Sequence, residues 1–238
     1  MPSSPVPSSP VPSPLSYVDE LADRARALVT RGSRRVLGIA GPPGAGKSTL
    51  AEAVVRALGA DAALVPMDGF HLADAELLRL GRADRKGAPD TFDAYGYGAL
   101  LARLRAPRHG ETVYAPSFER ELEQPLAGAL PVPPDVPLIV TEGNYLLLDE
   151  EPWPTAVRPH LDEVWWVAVD DTVRVERLIA RHVEFGKPPA EARAWVERSD
   201  EANARRVATG RDRADLIVDL DTGRLTPRSP LTPPAAPA

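Results

Sequence analysis

The stretch GPPGAGKST, at residues 41–49, decides the fold. It matches the spacing G-x-x-x-x-G-K-[ST], whose fixed positions are Gly41, Gly46, Lys47 and Ser48. The apolar run RVLGIA predicts a buried strand at residues 35–40, and residues 48–58 predict a helix. A glycine-rich turn between a strand and a helix points backbone N–H groups at a bound phosphate. The sequence therefore predicts a nucleotide-binding loop in an α/β domain.

Each residue of this loop is a candidate nucleotide contact. The Lys47 ammonium would reach the β- and γ-phosphates of ATP, and the Ser48 hydroxyl would bind Mg²⁺. The predicted nucleotide contacts are Gly41, Pro42, Pro43, Gly44, Ala45, Gly46, Lys47, Ser48 and Thr49. A glycine-rich turn that binds nothing is the alternative, and the strand-then-helix context argues against it.

Apolar runs alternate with helical patterns along the chain. An amphipathic helix is predicted before the loop. Further patterns predict strands at residues 62–67, 137–141, 163–169 and 214–220, and helices at 73–80, 96–105, 171–185 and 189–209. Strands interleaved with helices form parallel sheets covered on both faces. The predicted class is α/β with a P-loop NTPase fold: a doubly wound, mainly parallel sheet, helices on both faces and a helical lid.

Proline is concentrated at both ends of the chain. Residues 1–14 and 226–238 are predicted to be disordered tails around a catalytic domain at residues 15–225, whose lid lies at about 174–190. The proline-rich stretch PLAGALPVPPDVP, at residues 125–137, predicts an exposed loop.

Composition narrows the partners and the location. A formal net charge of -6 argues against a broad nucleic-acid surface. The absence of cysteine excludes disulfides and thiolate chemistry and fits the cytoplasm. No stretch resembles a secretory signal or a membrane span, and the four histidines show no metal-ligand spacing. We expect a small-molecule substrate, no nucleic acid and no membrane partner; a homodimer is an option that the sequence leaves open.

Two acids directly follow predicted strands. Asp68 comes after ALVPM, and Glu142 comes after LIVT. In open α/β sheets, ligands bind beyond the carboxyl ends of the strands. Phosphoryl transfer uses Mg²⁺ and a carboxylate that accepts or orients the hydroxyl proton. We assign Asp68 as the base and Glu142 to the metal or its water shell, with the reverse assignment left open. For either acid alone, a capping or turn role is the alternative.

A basic stripe lies on the helix predicted at residues 171–185. Arg174, Arg177 and Arg181 are spaced three and four apart, which puts them on one face. A solvated face is the usual explanation of such a stripe. Behind a phosphate loop it predicts a mobile lid, in which Arg177 and Arg181 neutralise the transferring phosphoryl group and exclude water.

These parts together predict an ATP-dependent kinase that transfers the γ-phosphoryl group to a hydroxyl of a small metabolite. The alternative is a regulatory NTPase that acts as a switch on a protein partner, although the chain has neither an NKxD nor an LSGGQ element. A module that binds ATP without turnover is a third option, against which the intact Lys47 and Ser48 argue.

Five motifs carry a resemblance that covers most of residues 35–220. In order they are GPPGAGKST, MDGFHLAD, RKGAPDTFDAY, VYAPSFER and TEGNYLLLD. The chain resembles the P-loop small-molecule kinases that include uridine kinase, type I pantothenate kinase and phosphoribulokinase. DGFH and KGAPDTFD look most like pantothenate kinase and relatives named nucleoside/nucleotide kinases. The resemblance implies a doubly wound sheet, ATP as the donor and a hydroxyl acceptor.

The resemblance also implies roles for individual residues. Asp68 matches the family's base, and the helix with Arg177 and Arg181 matches its lid. RDRADLIV resembles the adenine-side loop, which makes Arg211 a nucleotide contact. The residues implied to face the acceptor are Lys86, Asp93, Tyr114, Phe118 and Arg120. From its place three residues after Asp68, His71 is a further acceptor candidate, with a surface or packing role as the alternative.

The chain departs from the family in its acceptor motifs. VYAPSFER lacks the tyrosine and histidine that follow the comparable strand in pantothenate kinase, and Arg120 stands where an anionic or sugar-like acceptor could bind. DGFH replaces the more compact turn of uridine kinase. Nucleoside, pantothenate-like and sugar-type acceptors therefore stay open.

Overall fold

A computed structural model describes residues 14–29 and 33–228, with side chains described from residue 17 onward. The strands are β1 (Arg35–Ala40), β2 (Ala62–Leu64), β3 (Val113–Glu119), β4 (Gln124–Val132), β5 (Leu138–Gly143), β6 (Glu163–Ala168), β7 (Leu216–Asp219) and β8 (Leu225–Pro227). The helices are α1 (Pro14–Leu28), α2 (Lys47–Leu58), α3 (Asp74–Arg79), α4 (Ala94–Arg105), α5 (Trp153–Ala156), α6 (Asp171–Glu184), α7 (Pro189–Trp195) and α8 (Glu201–Ala208). A π-helical turn, Val196–Asp200, joins α7 to α8. No helix in these ranges is long and apolar enough to cross a bilayer.

Six strands form the central sheet, in the order β2-β5-β1-β6-β7-β8. The first five run parallel, and β8 pairs antiparallel with β7 at one edge. From β1 the chain passes to the edge strand β2, returns to β5, and then crosses β1 to β6 and β7, so the sheet extends on both sides of β1 and is doubly wound. The structure thus confirms the predicted α/β fold.

Apolar side chains are buried on both faces of the sheet. Successive residues of a strand point to opposite faces. In β6, Val164 and Trp166 join the core cluster that contains α4, while Trp165 and Val167 join the cluster that contains α1 and α2. Strands buried on both faces read as continuous apolar runs, which is why the sequence pattern located most of them.

The prediction of an exposed loop at residues 125–137 was wrong for residues 125–132, whereas residues 133–137 do form a turn between two strands. Residues Gln124–Val132 form β4, which pairs antiparallel with β3 in a separate hairpin. Each strand of a two-stranded sheet is an edge strand, so Pro125 and Pro131 fit where their missing N–H groups are not needed. Val132 is buried against the facing Val113, which fixes the hairpin to the core.

The predicted boundary of the C-terminal tail also needs correction. Thr226 and Pro227 pair with β7 as part of β8, so the folded region extends to residue 228. The rest of the predicted tails, residues 1–13 and 229–238, lies outside the described residues.

Candidate active site

The phosphate loop joins the end of β1 to the start of α2. Its conformation requires glycine: Gly44 and Gly46 have φ values of 78° and 92°, which side chains disfavour. A Cβ at Gly44 would lie 2.7 Å from Leu178 Cγ, so the loop also packs directly on α6. This packing holds the backbone in the turned conformation that a phosphate cradle needs.

The Lys47 side chain crosses the loop. Its Nζ donates to the Pro42 carbonyl oxygen at 3.0 Å, and the residue is buried. Burial lowers the Lys47 pKa to about 8, against the opposing charges of Glu142 and Asp68. A phosphate bound in the cradle would supply more negative charge and favour the protonated ammonium.

Ser48 and Glu142 meet beside the cradle. Ser48 Oγ donates to Glu142 Oε1 at 3.0 Å, and Glu142 is buried near the carboxyl end of β5. Burial first, and then the charge of Asp68, raise the pKa of Glu142 to about 7, while Lys47 and the Ser48 hydrogen bond oppose the shift. A hydroxyl and a carboxylate are oxygen ligands of the kind that Mg²⁺ prefers.

The protein offers Mg²⁺ few ligands of its own. In residues 14–29 and 33–228, no three histidine, aspartate or glutamate side chains are grouped so that they could hold a metal ion. Mg²⁺ in nucleotide sites is commonly bound through one or two protein oxygens, with phosphates and waters completing the octahedron. The Ser48 and Glu142 pair fits that pattern.

Asp68 lies on a 3-10 turn, Met67–Phe70, just after β2. Its carboxylate is half-buried, and Arg120 Nη2 lies 3.4 Å from Oδ2. The turn packs tightly on β5, because a Cβ at Gly143 would lie 2.6 Å from Met67 Cβ. Asp68 and Glu142 therefore line one cavity from neighbouring strand ends.

The cavity has a volume of about 540 Å³, a size typical of small-ligand sites. It brings together most of the catalytic, metal and acceptor residues that the sequence singled out: Lys47, Ser48, Asp68, His71, Lys86, Phe118, Arg120, Glu142 and Arg181. Phosphate-binding groups and candidate acceptor groups thus share one space.

One wall of the cavity, which we call the acceptor wall, is formed by the acceptor candidates His71, Lys86, Phe118 and Arg120. It is aromatic and cationic. The rings of His71 and Phe118 lie 4.7 Å apart, and the side chains of Lys86 and Arg120 lie over the Phe118 ring. Burial, which outweighs the nearby Asp68 charge, lowers the pKa of His71 and favours its neutral form. The wall can therefore pack against an apolar surface and present charge beside it.

Lys86 has partners of its own within this wall. Its Nζ donates to Asp74 Oδ1 at 2.7 Å and to the Glu123 carbonyl oxygen at 2.5 Å. Glu123, at the tip of the β3–β4 hairpin, has a positive φ of 52°, which is uncommon for a residue other than glycine. Lys86 therefore bridges the start of α3 and the hairpin tip at the cavity wall.

Several predicted contacts do not line the cavity. Asp93 caps α4, since its Oδ1 accepts a hydrogen bond from Gly96 N at 2.8 Å. Tyr114 is 58% exposed on β3. The side chains of Thr49, Arg177 and Arg211 are exposed, although Arg177 lies beside the phosphate loop, where its Nη1 would be 3.8 Å from a Cβ at Gly46. Asp93 and Tyr114 therefore have no part in the site proposed below.

Arg174 differs from the other arginines of the predicted lid. It is buried, and its guanidinium bonds to Asp171 Oδ1 at 2.9 Å, Glu201 Oε1 at 2.6 Å and the Pro43 carbonyl oxygen at 3.4 Å. The first turn of α6 is thus tied to α8 and to the phosphate loop. The region predicted as a lid at about 174–190 begins with a fixed anchor.

Sequence reasoning missed one side of the cavity. It is lined from α6, the α6–α7 connection, α7, the π turn and α8 by His182, Lys187, Trp195, Asp200 and Asn203. In the uniform helix predicted at residues 189–209, Trp195 and Asp200 would point about 140° apart, so the sequence pattern does not place them on one face.

Known proteins resemble this chain in sequence. The family model described as "Phosphoribulokinase / Uridine kinase family" matches residues 36–225. A Schizosaccharomyces pombe protein, provisionally named as a uridine kinase, is 35% identical over 195 residues, which cover 78% of this chain and 82% of that protein. The Escherichia coli protein YggC, named as uncharacterised, is 34% identical over 192 residues, covering 79% of this chain and 78% of its own.

A solved structure shows a similar fold. The chain from Silicibacter sp. TM1040, provisionally described as a fructose transport system kinase, is 34% identical, with a TM-score of 0.77. The match covers 84% of this chain and 98% of that one.

Proposed function

The chain belongs to the phosphoribulokinase / uridine kinase family of ATP-dependent phosphotransferases, and from this premise we propose that its cavity phosphorylates a hydroxyl of a small metabolite with Asp68 as the base. The observation that carries the proposal is that Lys47, Asp68 and the acceptor wall at Phe118 and Arg120 line one cavity. A phosphate donor and a hydroxyl acceptor can therefore meet without crossing solvent.

Each group has a distinct task in this proposal. Lys47 and the loop N–H groups hold the phosphates of ATP. The Asp68 carboxylate accepts the proton of the acceptor hydroxyl. The hydroxyl oxygen bonds to the γ-phosphorus while the bond from that phosphorus to the β–γ bridging oxygen breaks, and ADP leaves. Ser48 and Glu142 would hold Mg²⁺, which, when bound, supplies neutralisation of phosphate charge.

Arginines supply positive charge on the acceptor side. Arg181 lines the cavity, and burial first, followed by the charge of Arg120, lowers its pKa. A guanidinium held in a partly dry site interacts strongly with an anion and needs no reorganisation during the reaction. We propose that Arg120 and Arg181 bind the transferring phosphoryl group or an anionic part of the acceptor. The exposed Arg177, which does not line the cavity, would bind the phosphates of ATP from the solvent side.

Three acceptor classes fit this wall. The names of related proteins point to a nucleoside, uridine, and to a sugar, fructose. The Phe118 shelf with Arg120 above it also suits a pantothenate-like acid, because a cation beside an apolar surface can bind a carboxylate. We place the reaction in the cytoplasm, which the absence of cysteine supports.

A kinase fits these observations better than a regulatory switch. A switch needs the triphosphate site alone, whereas this cavity extends from that site to the hairpin and the π turn. The match to a family of kinases also favours a kinase over a switch.

The decisive experiment combines an acceptor screen with one variant. ATP consumption is measured with nucleosides, sugars and vitamin precursors, and the phosphorylated product is identified by mass. Lys47→Met should abolish acceptor-dependent turnover, because it removes the ammonium that binds the β- and γ-phosphates. It should leave the melting temperature near that of the wild type, since methionine fills the buried space.

Glu52→Gln, at an exposed position of the same helix, is the matched control and should keep full activity. Retained turnover in Lys47→Met would overturn the assignment. ADP release that no acceptor changes would favour the switch.

A further inference from the structure

One end of the cavity has no task in the reaction described so far. It is built by His182 and Lys187 near the end of α6, by Trp195, and by Asp200 and Asn203. All five residues follow Arg181 in the chain, and they line the same cavity as Asp68. Four of them are polar and partly or fully shielded from solvent, and shielded polar groups are normally paired.

The π turn decides which of these side chains enter the cavity. In an α-helix, two residues five apart point about 140° away from each other. In the π turn the hydrogen bond runs from Glu201 N to Val196 O, so five residues make about one full turn. Trp195 and Asp200 therefore share a face, and both line the cavity. Single π turns inside helices occur often at functional sites.

The Asp200 carboxylate is oriented by one hydrogen bond and can accept more. His182 Nε2 lies 2.9 Å from Oδ2, and the Asp200 side chain is only 13% exposed. In residues 14–29 and 33–228, His182 is the one hydrogen-bonding partner of this carboxylate. A carboxylate has about four acceptor sites, so Asp200 can still accept hydrogen bonds from a ligand.

The helix behind Asp200 is fixed. The next residue, Glu201, accepts a hydrogen bond from buried Arg174 at 2.6 Å, and Arg174 also contacts the phosphate loop through the Pro43 carbonyl oxygen. Asn203, one turn further, donates weakly to the Gly87 carbonyl oxygen at 3.4 Å. Asp200 is thus positioned relative to the phosphate loop by contacts of α8, the helix that follows the π turn.

We propose that Asp200, oriented by His182, binds a hydroxyl of the acceptor other than the one that is phosphorylated. A carboxylate repels the phosphates of ATP but accepts hydrogen bonds from uncharged hydroxyls. The preferred acceptor class is therefore polyhydroxylated: a sugar, or the ribose of a nucleoside. This inference rests on the proposed kinase function and deepens it, because it names the residue that selects the acceptor.

The test compares four variants with the wild type in steady-state kinetics. The acceptor panel is uridine, D-ribose, D-fructose, D-glycerate and pantothenate, and each active acceptor is also tested as a deoxy analogue. Asp200→Asn is nearly isosteric. It should reduce kcat/KM for the acceptor on the order of 10- to 100-fold, mostly through KM, because a hydrogen bond to a charged group is lost. The KM for ATP should stay unchanged.

Two His182 variants test the positioning role. His182→Gln keeps an N–H donor for the Asp200 carboxylate and should retain most of the acceptor affinity, while His182→Phe removes the donor and should raise the acceptor KM. Glu197→Gln makes the same acid-to-amide change at an exposed position of the π turn and is the control.

Each outcome decides a separate question. If Asp200→Asn has the wild-type acceptor KM, or loses affinity for ATP and acceptor equally together with its melting temperature, the inference is overturned. The preference for hydroxylated over deoxy acceptors should shrink in Asp200→Asn; an unchanged preference also overturns it. If the wild type itself shows no acceptor-dependent turnover on any panel member, the proposed function fails first, before any variant is compared.

Discussion

Asp68 and Glu142 line the same cavity in different surroundings. Asp68 is half-buried beside the acceptor-side Arg120, whereas Glu142 is buried and bonded to Ser48. A base must reach the acceptor hydroxyl, and a metal ligand must reach the phosphates. The surroundings of each carboxylate support the assignment made from sequence.

Separate kinetic readouts distinguish the two acids. Asp68→Asn should lower kcat about 100- to 10,000-fold with little change in KM for ATP, as expected when a general base is lost. Glu142→Gln should raise the Mg²⁺ concentration needed for half-maximal rate. The measurement is a full kinetic series at several Mg²⁺ concentrations. The opposite pattern would exchange the two roles.

His71 should make the stability of the fold sensitive to mild acid. Burial depresses its pKa in the folded chain, so below about pH 6.5 the unfolded chain binds a proton first. The free energy of unfolding should therefore fall as pH drops through 6.5, until the folded histidine also protonates. Asp68 opposes this shift, and Lys86 and Arg120 add to it.

Urea unfolding of the wild type and His71→Gln between pH 7.5 and 5.5 measures this effect. The free energy of unfolding should fall less steeply with pH in the variant than in the wild type, and the two slopes should differ by about 1.4 kcal/mol per pH unit at most. His109→Gln, at an exposed position, is the control and should follow the wild type. Equal slopes for the wild type and His71→Gln would contradict the prediction.

At the level of elements, α6 combines a buried anchor at its start, Arg174, with an exposed arginine further along, Arg177. Arg174 is 2% exposed at its side chain and paired with Glu201, whereas Arg177 is exposed. Spacing alone placed the two on the same face. Only the tertiary contacts, which depend on distant parts of the chain, tell them apart.

Replacing each arginine should separate stability from catalysis. Arg174→Ala should lower the free energy of unfolding by about 3 kcal/mol, because it leaves Glu201 without its buried partner. Arg177→Ala should change stability by less than about 0.5 kcal/mol, as is usual at an exposed site. Chemical denaturation measures both, and equal losses would show that Arg174 is no anchor.

Elements differed in how far sequence could predict them. The buried strands and the phosphate loop follow local apolar runs and a fixed spacing, so they were found. The β3–β4 hairpin was missed because the prolines of β4 are typical of a loop, and this segment is a strand only through its pairing with β3. The π turn was missed because one extra residue in a turn leaves no local pattern. For the same reason, Asp200 could not be assigned to the cavity from sequence.

For the whole molecule, β8 closes one edge of the sheet. Leu225 packs against the core cluster on the α1 and α2 face, and Arg228 N donates to the Asp215 carbonyl oxygen at 2.9 Å. An uncovered edge would expose β7 to pairing with other chains. The strand is therefore part of the domain, although its sequence resembles a proline-rich tail.

Truncation tests this contribution. A chain that ends at residue 224 should lose about 2 kcal/mol of stability and roughly 5 °C in Tm, because it lacks the backbone bonds of β8 and the packing of Leu225. A chain that ends at residue 228 keeps these contacts and is the control. Calorimetry of both compares their Tm values, and identical values would show that β8 adds nothing.

The contact between Gly143 and Met67 sets the separation of the two acids. A methyl group at residue 143 would meet Met67 at 2.6 Å and push the Asp68 turn away from β5. In a library of random substitutions, Gly143 should tolerate replacement as poorly as the acids beside it, although it has no side chain. The acceptor side of the cavity can change through the side chains that line it, whereas the distance between the two acids depends on residue 143 having no side chain.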